Sequence, residues 1–193
     1  MRNTKIFLGL IAPAMLGLAV LPGCVSTAPQ TAADQKQLSV ESHSALTMMK
    51  DINPDLQQKL NSAYGWVVFP AVAKGGVGFG GGAFGRGEVY EQGKFVGYAD
   101  ITAGSLGPEL GGQTYTEEVV FQNKGAMDNF KANHLTLSAN ASAVALKATA
   151  DVQETGIQEY DHGVAVYLQS GGGMMLEASI GGQQFTYQPA DQA

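Results

Sequence analysis

Residues 65–112 read GWVVFPAVAKGGVGFGGGAFGRGEVYEQGKFVGYADITAGSLGPELGG, and they hold more than half of the chain's 26 glycines. The stretch opens on Trp66, Val67, Val68 and Phe69, an apolar run that Pro70 stops, which reads as a buried strand. Glycine at this density fills neither helices nor strands well. Its uses are turns with positive φ, bulges and close approach of one backbone to another. Single apolar residues recur between the glycines: Val77, Phe79, Phe84, Val89, Tyr90, Phe95, Val96, Tyr98 and Ile101. Glu91-Gln92-Gly93-Lys94 stands between two such runs and carries the chemistry of a hairpin turn. The expectation is a tightly curved, mostly antiparallel sheet with thin glycine patches.

Working outward toward the N-terminus, Asn53-Pro54-Asp55 supplies an N-cap, a proline for the first helical position and an acid for the first turn. Leu56 and Leu60 then fall on one face, with Gly65 just past the end. Leu38 to Lys50 places Leu38, Ala45, Leu46, Met48 and Met49 at helical spacing. Its apolar face is expected to pack on the sheet rather than lie on a membrane, because basic residues are scarce on it. Residues 25–37, VSTAPQTAADQKQ, are small and polar, and read as a flexible tether.

Downstream, TEEVVF at 116–121 reads as a strand and GAMDNFKAN at 125–133 as a short helix using Met127 and Phe130. Residues 151–156 form a polar loop. Three short runs follow at 163–168, 174–180 and 185–187, separated by glycine turns. Residues 190–193 are expected to fray. The fold class that results is α+β, a predominantly antiparallel sheet closed as a curved sandwich or barrel, with an N-terminal helical segment and a single domain over 38–189.

The chain carries a formal net charge of −6 and only 15% charged residues. That balance argues against nucleic acid, which needs a basic footprint, and against a purely electrostatic grip on an anionic membrane. Arg2 and Lys5 precede an apolar stretch from Ile6 to Val20 that Pro22 and Gly23 close, so residues 1–23 read as an export signal rather than a spanning helix. Leu21-Pro22-Gly23-Cys24 resembles a bacterial lipobox. The resemblance implies cleavage before Cys24 and acylation of Cys24, with chains such as palmitate. Val25, in place of an aspartate, implies sorting to the outer membrane, facing the periplasm. Cys24 is the only cysteine, so the thiol serves attachment and no disulfide is available.

Ala63-Tyr64-Gly65-Trp66-Val67-Val68-Phe69-Pro70-Ala71-Val72-Ala73-Lys74-Gly75, then Gly78-Phe79-Gly80, then Gly107-Pro108-Glu109-Leu110-Gly111-Gly112-Gln113, resembles the SYLF domain. The likeness continues through Glu118-Val119-Val120-Phe121 and into Leu135–Ser142. The resemblance implies phosphoinositide-membrane binding and, in the yeast actin-patch relatives, actin-filament binding. It implies lipoproteins among bacterial members, and no enzymatic activity. One departure is Ala143-Val144-Ala145-Leu146, which lacks the family's usual glycine. Residues 135–149 are ambiguous, since alanine favours helix while Leu137, Ala139, Ala141 and Ala143 alternate at period two; the resemblance tips them to strand.

Of the motifs that suggest chemistry, Gly80–Gly85 satisfies GxGxxG but lacks a following helix to hold a pyrophosphate. Ala103-Gly104-Ser105-Leu106-Gly107 superficially matches a nucleophile elbow, yet Pro108 disfavours the helix it needs. His43, His134 and His162 are dispersed, without HExxH or CxxC, so no metal or cofactor is expected. Binding remains. Lys74, Gly75, Gly76 and Arg86 combine cations with exposed amides suited to an anion, and Phe79 and Phe84 offer apolar contact. These six are the candidate phospholipid-headgroup residues of a non-enzymatic lipid-binding lipoprotein. The alternative is a structural envelope protein that binds a protein partner or a second copy through glycine-rich strand edges.

Overall fold

The computed structural model describes residues 28–137, 162–170 and 182–192, without the side chains of residues 79, 105–110 and 170. The signal segment, Cys24 and the runs at 138–149, 151–156 and 174–180 therefore lie outside the described residues.

Two helices come first. Helix α1 (Ala32–Ile52) is capped by Thr31, whose Oγ1 accepts the Asp34 N–H at 3.1 Å. Leu38, Ser42, Ala45 and Met49 are buried, a four-three-four spacing that puts them on one face. The cap and the acid in the first turn start the helix inside the expected tether, so residues 32–37 are helical. Ahead of it, Ala28 is buried and donates its N–H to Gln188 Oε1 at 3.1 Å. Helix α2 (Pro54–Ser62) uses Asn53 as N-cap and Pro54 at its start, and buries Leu56 and Leu60.

The glycine-rich stretch is one hairpin of two continuous strands, β1 (Gly65–Glu91, 27 residues) and β2 (Lys94–Phe121, 28 residues). Gln92 (φ 49°) and Gly93 (φ 76°) form its turn, both in the left-handed region that a two-residue hairpin loop requires. Pro70 does not end the strand, because it falls in a register shift between Phe69 and Val72, where a missing N–H breaks no ladder bond. Its carbonyl accepts the Thr116 Oγ1 hydroxyl at 3.0 Å. Further shifts lie between Gly78 and Gly80 and between Val89 and Tyr90.

Along its other edge β2 pairs antiparallel with β4 (Val164–Ser170) over Tyr115–Phe121 and with β5 (Gln183–Pro189) over Gly97–Ala103. A short β3 (Thr136–Leu137) adds to β5. The expected runs at 163–168 and 185–187 are thus strands. Residues Ala190–Gln192 form a 3-10 turn, and Gln188 Nε2 donates to the Gln192 carbonyl at 2.6 Å.

A strand of 28 residues would be about 90 Å long if straight, but this sheet curls. Gln183 pairs with Ala103 of β2, yet its amide Nε2 donates to Glu117 Oε2 at 2.9 Å, fourteen residues along the same strand. Strand β1 likewise meets itself. The Gln92 N–H donates to the Tyr64 carbonyl at 2.8 Å, and Trp66 stacks on Tyr90 at 5.5 Å. The fold is therefore α+β, dominated by a curled antiparallel half-barrel.

The inner face carries the main core, including Val67, Phe69, Val72, Val89, Ile101, Val119, Phe121, Val166 and Phe185. Helix α3 (Lys124–Lys131) adds Ala126, Met127 and Phe130 to it, and the Phe130 ring lies 4.9 Å from Phe121 and 6.0 Å from Phe185. Helices α1 and α2 cover the outer face, where Met49, Leu56 and Leu60 meet Val120, Ala165 and Tyr167. Asn123 caps α3, its Oδ1 accepting the Ala126 N–H at 3.0 Å. Asn123→Ala is expected to cost about 1 kcal/mol, read as a lower urea midpoint at unchanged m-value; an unchanged midpoint would show that the cap contributes nothing.

Candidate functional site

The six candidate residues all fall on β1, but not on one surface. Val72 and Lys74 share the inner face, with no register shift between them, and Lys74 is only 8% exposed. Past the shift at Gly78 and Gly80 the parity changes. Gly85, Gly87 and Val89 then point inward, so Phe84 and Arg86 stand on the outer face. There Arg86 Nε donates to Asp100 Oδ1, its cross-strand partner, at 3.1 Å. Gly75 and Gly76 sit in the ladder opposite Gly112 and Gly111. Phe84 is 47% exposed, and the Phe79 side chain is not among those described. Lys74 and Arg86 therefore lie on opposite faces of the sheet, twelve residues apart.

Gly80–Gly85 is strand, paired residue by residue with Leu106–Ile101, so no helix N-terminus opens there for a dinucleotide. Ser105 likewise lies within β2, opposite Gly81, not on a strand-to-helix turn. Among the described residues no three His, Cys, Asp or Glu side chains come together as a metal site, and no helix is long and apolar enough to cross a membrane.

The unusual chemistry is at Glu117 and Glu118, which the TEEVVF run carries into the middle of the sheet. Neighbours on a strand point to opposite faces. Glu117 enters the inner core opposite Phe69 and Leu168, while Glu118 faces the helices opposite Val68 and Tyr167. Both are fully buried. Burial raises each carboxyl to about 8, opposed at Glu117 by the Gln183 hydrogen bond and at Glu118 by the Lys50 charge. Both are therefore largely protonated at neutral pH.

Around Glu117 the curl assembles a polar trio inside an apolar lining. Tyr115, two residues before it, shares its face, and Gln183 arrives from β5. Tyr115 and Gln183 are 3% and 1% exposed. Burial, reinforced by Glu117 and opposed by the nearby Gln183 side chain, keeps the Tyr115 phenol protonated well above its ordinary range. The single hydrogen bond between Gln183 and Glu117 leaves Tyr115 Oη, Glu117 Oε1 and Gln183 Oε1 without partners. A buried polar group left unmatched costs about 1–3 kcal/mol, so three in one place mark a site built for something other than packing. Glu118 Oε1 and Oε2 are also unmatched, as are Ser42 Oγ and Trp66 Nε1.

Sequence reasoning passed over this trio. The signal available was local conflict: two acids inside a run of valines and phenylalanine are inconsistent with a strand whose faces are both covered.

A third feature is the exposed surface of α1, where Val40, Met48 and Ile52 are 59%, 50% and 65% exposed. At 3.6 residues per turn, spacings of eight and four spread them over about 120° of the helix surface. Val77 of β1, 83% exposed, adds apolar surface on the ribbon.

No family model matches the chain, and no curated protein matches it.

Proposed function

We propose that this chain is a membrane-anchored envelope lipoprotein whose folded domain binds lipid without transforming it. The observation that carries the reading is the bare apolar stripe of Val40, Met48 and Ile52 on the helix nearest the anchor. Helix α1 begins eight residues after Cys24, so an acylated Cys24 holds its start within about 28 Å of the bilayer. An apolar stripe held that near lipid gains by burying itself in the headgroup boundary. The lipobox-like Leu21–Cys24 and the resemblance to SYLF domains support the same reading, with phospholipid as the ligand class. Phe84 adds a second apolar contact, with Arg86 beside it on the outer face, where the Arg86–Asp100 pair tempers its charge.

The mature chain with Cys24→Ser is expected to float with vesicles of phosphatidylethanolamine and phosphatidylglycerol. Met48→Asp combined with Ile52→Asp is expected to cut the bound fraction at least fivefold. Failure of the parent to float would remove the reading. In cells, Cys24→Ser is expected to abolish incorporation of labelled palmitate, and labelling that persists would place the acyl chain elsewhere.

A second reading has one observation in its favour. Among the described residues β1 pairs with β2 alone, which leaves a long strand edge able to accept another strand. Light scattering showing a stable oligomer, lost when the Val77 region is made charged, would favour that reading over the first.

A further inference from the structure

The inner face of the half-barrel holds its polar groups where a hydrophobic core ordinarily holds none. Phe69 and Val72 lie across from Glu117 and Tyr115 on β1, Leu168 lies beside Glu117 on β4, and Leu137 and Phe185 flank Gln183. Tyr115 and Glu117 come from one strand and Gln183 from another, 66 residues from Glu117, brought together by the curl. What they present is specific. Glu117 Oε2 accepts from the Gln183 amide, which leaves the Oε1 side of a protonated carboxyl and the Tyr115 hydroxyl as donors, and Gln183 Oε1 as an acceptor.

The set is uncharged, so it rejects an ion and matches a group with two acceptor lone pairs and one proton. A carboxylic acid in its neutral form, or a primary alcohol, has that pattern. The apolar surroundings require that the rest of the ligand be hydrocarbon.

We propose that Tyr115, Glu117 and Gln183 form an internal site that takes the neutral oxygen head of a single-chain amphiphile, an acid or alcohol whose tail lies along Phe69, Val72, Leu168 and Phe185. The proposal borrows from the lipid reading only the class of ligand. It uses neither Cys24 nor the α1 stripe, so loss of vesicle flotation and loss of this site are separate results.

The test is carbon-13 NMR on the otherwise complete mature chain carrying Cys24→Ser, titrated with palmitic acid or hexadecanol labelled at carbon 1. One bound resonance saturating near one equivalent is expected with at least one of the two probes, and the comparison tells acid from alcohol. For bound palmitic acid the resonance is expected to stay at the neutral-acid shift from pH 6 to pH 7.5, where the same probe in vesicles titrates. Glu117→Leu with Gln183→Leu is expected to weaken binding at least tenfold. Tyr115→Phe, which removes one hydroxyl and leaves the packing, is expected to weaken it about threefold to tenfold and guards against misfolding of the double variant.

The proposal is overturned if neither probe gives a bound resonance, if Tyr115→Phe and the double variant bind as the parent does, or if a crystal grown with either probe shows only water on the three atoms.

Discussion

Between pH 5 and pH 8 the protein is expected to lose stability as pH rises, the reverse of ordinary acid denaturation. In the folded chain Glu117 and Glu118 hold their protons to about 8, because burial penalises the charged carboxylates. In the unfolded chain both ionise near the ordinary glutamate value. Across that window the folded state therefore binds more protons than the unfolded state, and stability must fall as pH rises. Below it both states are protonated and the two groups contribute no slope. Above about 8 the loss is complete. At about 1.4 kcal/mol per pH unit for each proton, the two carboxyls together remove several kcal/mol.

Glu91 acts in the opposite sense. The Lys131 ammonium, 2.8 Å away, holds its carboxyl below the usual value, so its contribution is present above that value and is lost in acid. The midpoint of thermal unfolding should accordingly peak near pH 5. Glu118→Gln, which keeps the shape and removes the titration, should flatten the alkaline limb and raise the melting temperature at pH 8. A melting temperature that is level or rises from pH 5 to pH 8 in the parent would contradict burial of these two carboxyls.

Gly87→Ala is expected to be strongly destabilising. A Cβ at Gly87 would lie 2.3 Å from the Val68 carbonyl oxygen and 2.8 Å from Phe69 Cδ1. The first is backbone, in the same strand nineteen residues earlier, and cannot swing aside. Overpacking a core typically costs about 1–3 kcal/mol, and here relief requires opening the curl of β1, so the loss is expected at or above the top of that range. Gly104→Ala is the control. Nothing lies within 4 Å of its Cβ position, and its φ is not in the left-handed region. Restricting the unfolded chain there should leave stability unchanged or slightly higher. Equal urea midpoints for the two variants would refute the close approach of the two ends of β1.

The elements with local chemistry were legible in the sequence. Asn53-Pro54 announced α2, Gln92-Gly93 announced the hairpin, and Met127 with Phe130 marked the buried side of α3. The continuity of β1 and β2 was not legible, because glycine carries no side chain through which inside and outside alternate. The same silence hid the register shifts. One of them moves Arg86 to the opposite face from Lys74, which dispersed the expected cation pair. The meeting of Glu117 with Gln183 depends on the curl, a property of the whole sheet to which no stretch of a dozen residues gives a clue. Thr31 and Asp34 were available as a helix start, but the small polar residues around them read as linker.

The hairpin turn at Gln92 and Gly93 lies near the middle of the chain, and every rung of β1 against β2 is reached from it in order, out to Gly65 against Phe121. Closing a pair from the open end first would trap a loop of more than fifty residues, whereas each step from the turn adds almost none. Assembly by zippering from the centre therefore brings Trp66, Glu117 and the strand ends together last. A nascent chain stalled short of Phe121 would hold a formed hairpin tip with its interior still open to the surrounding medium.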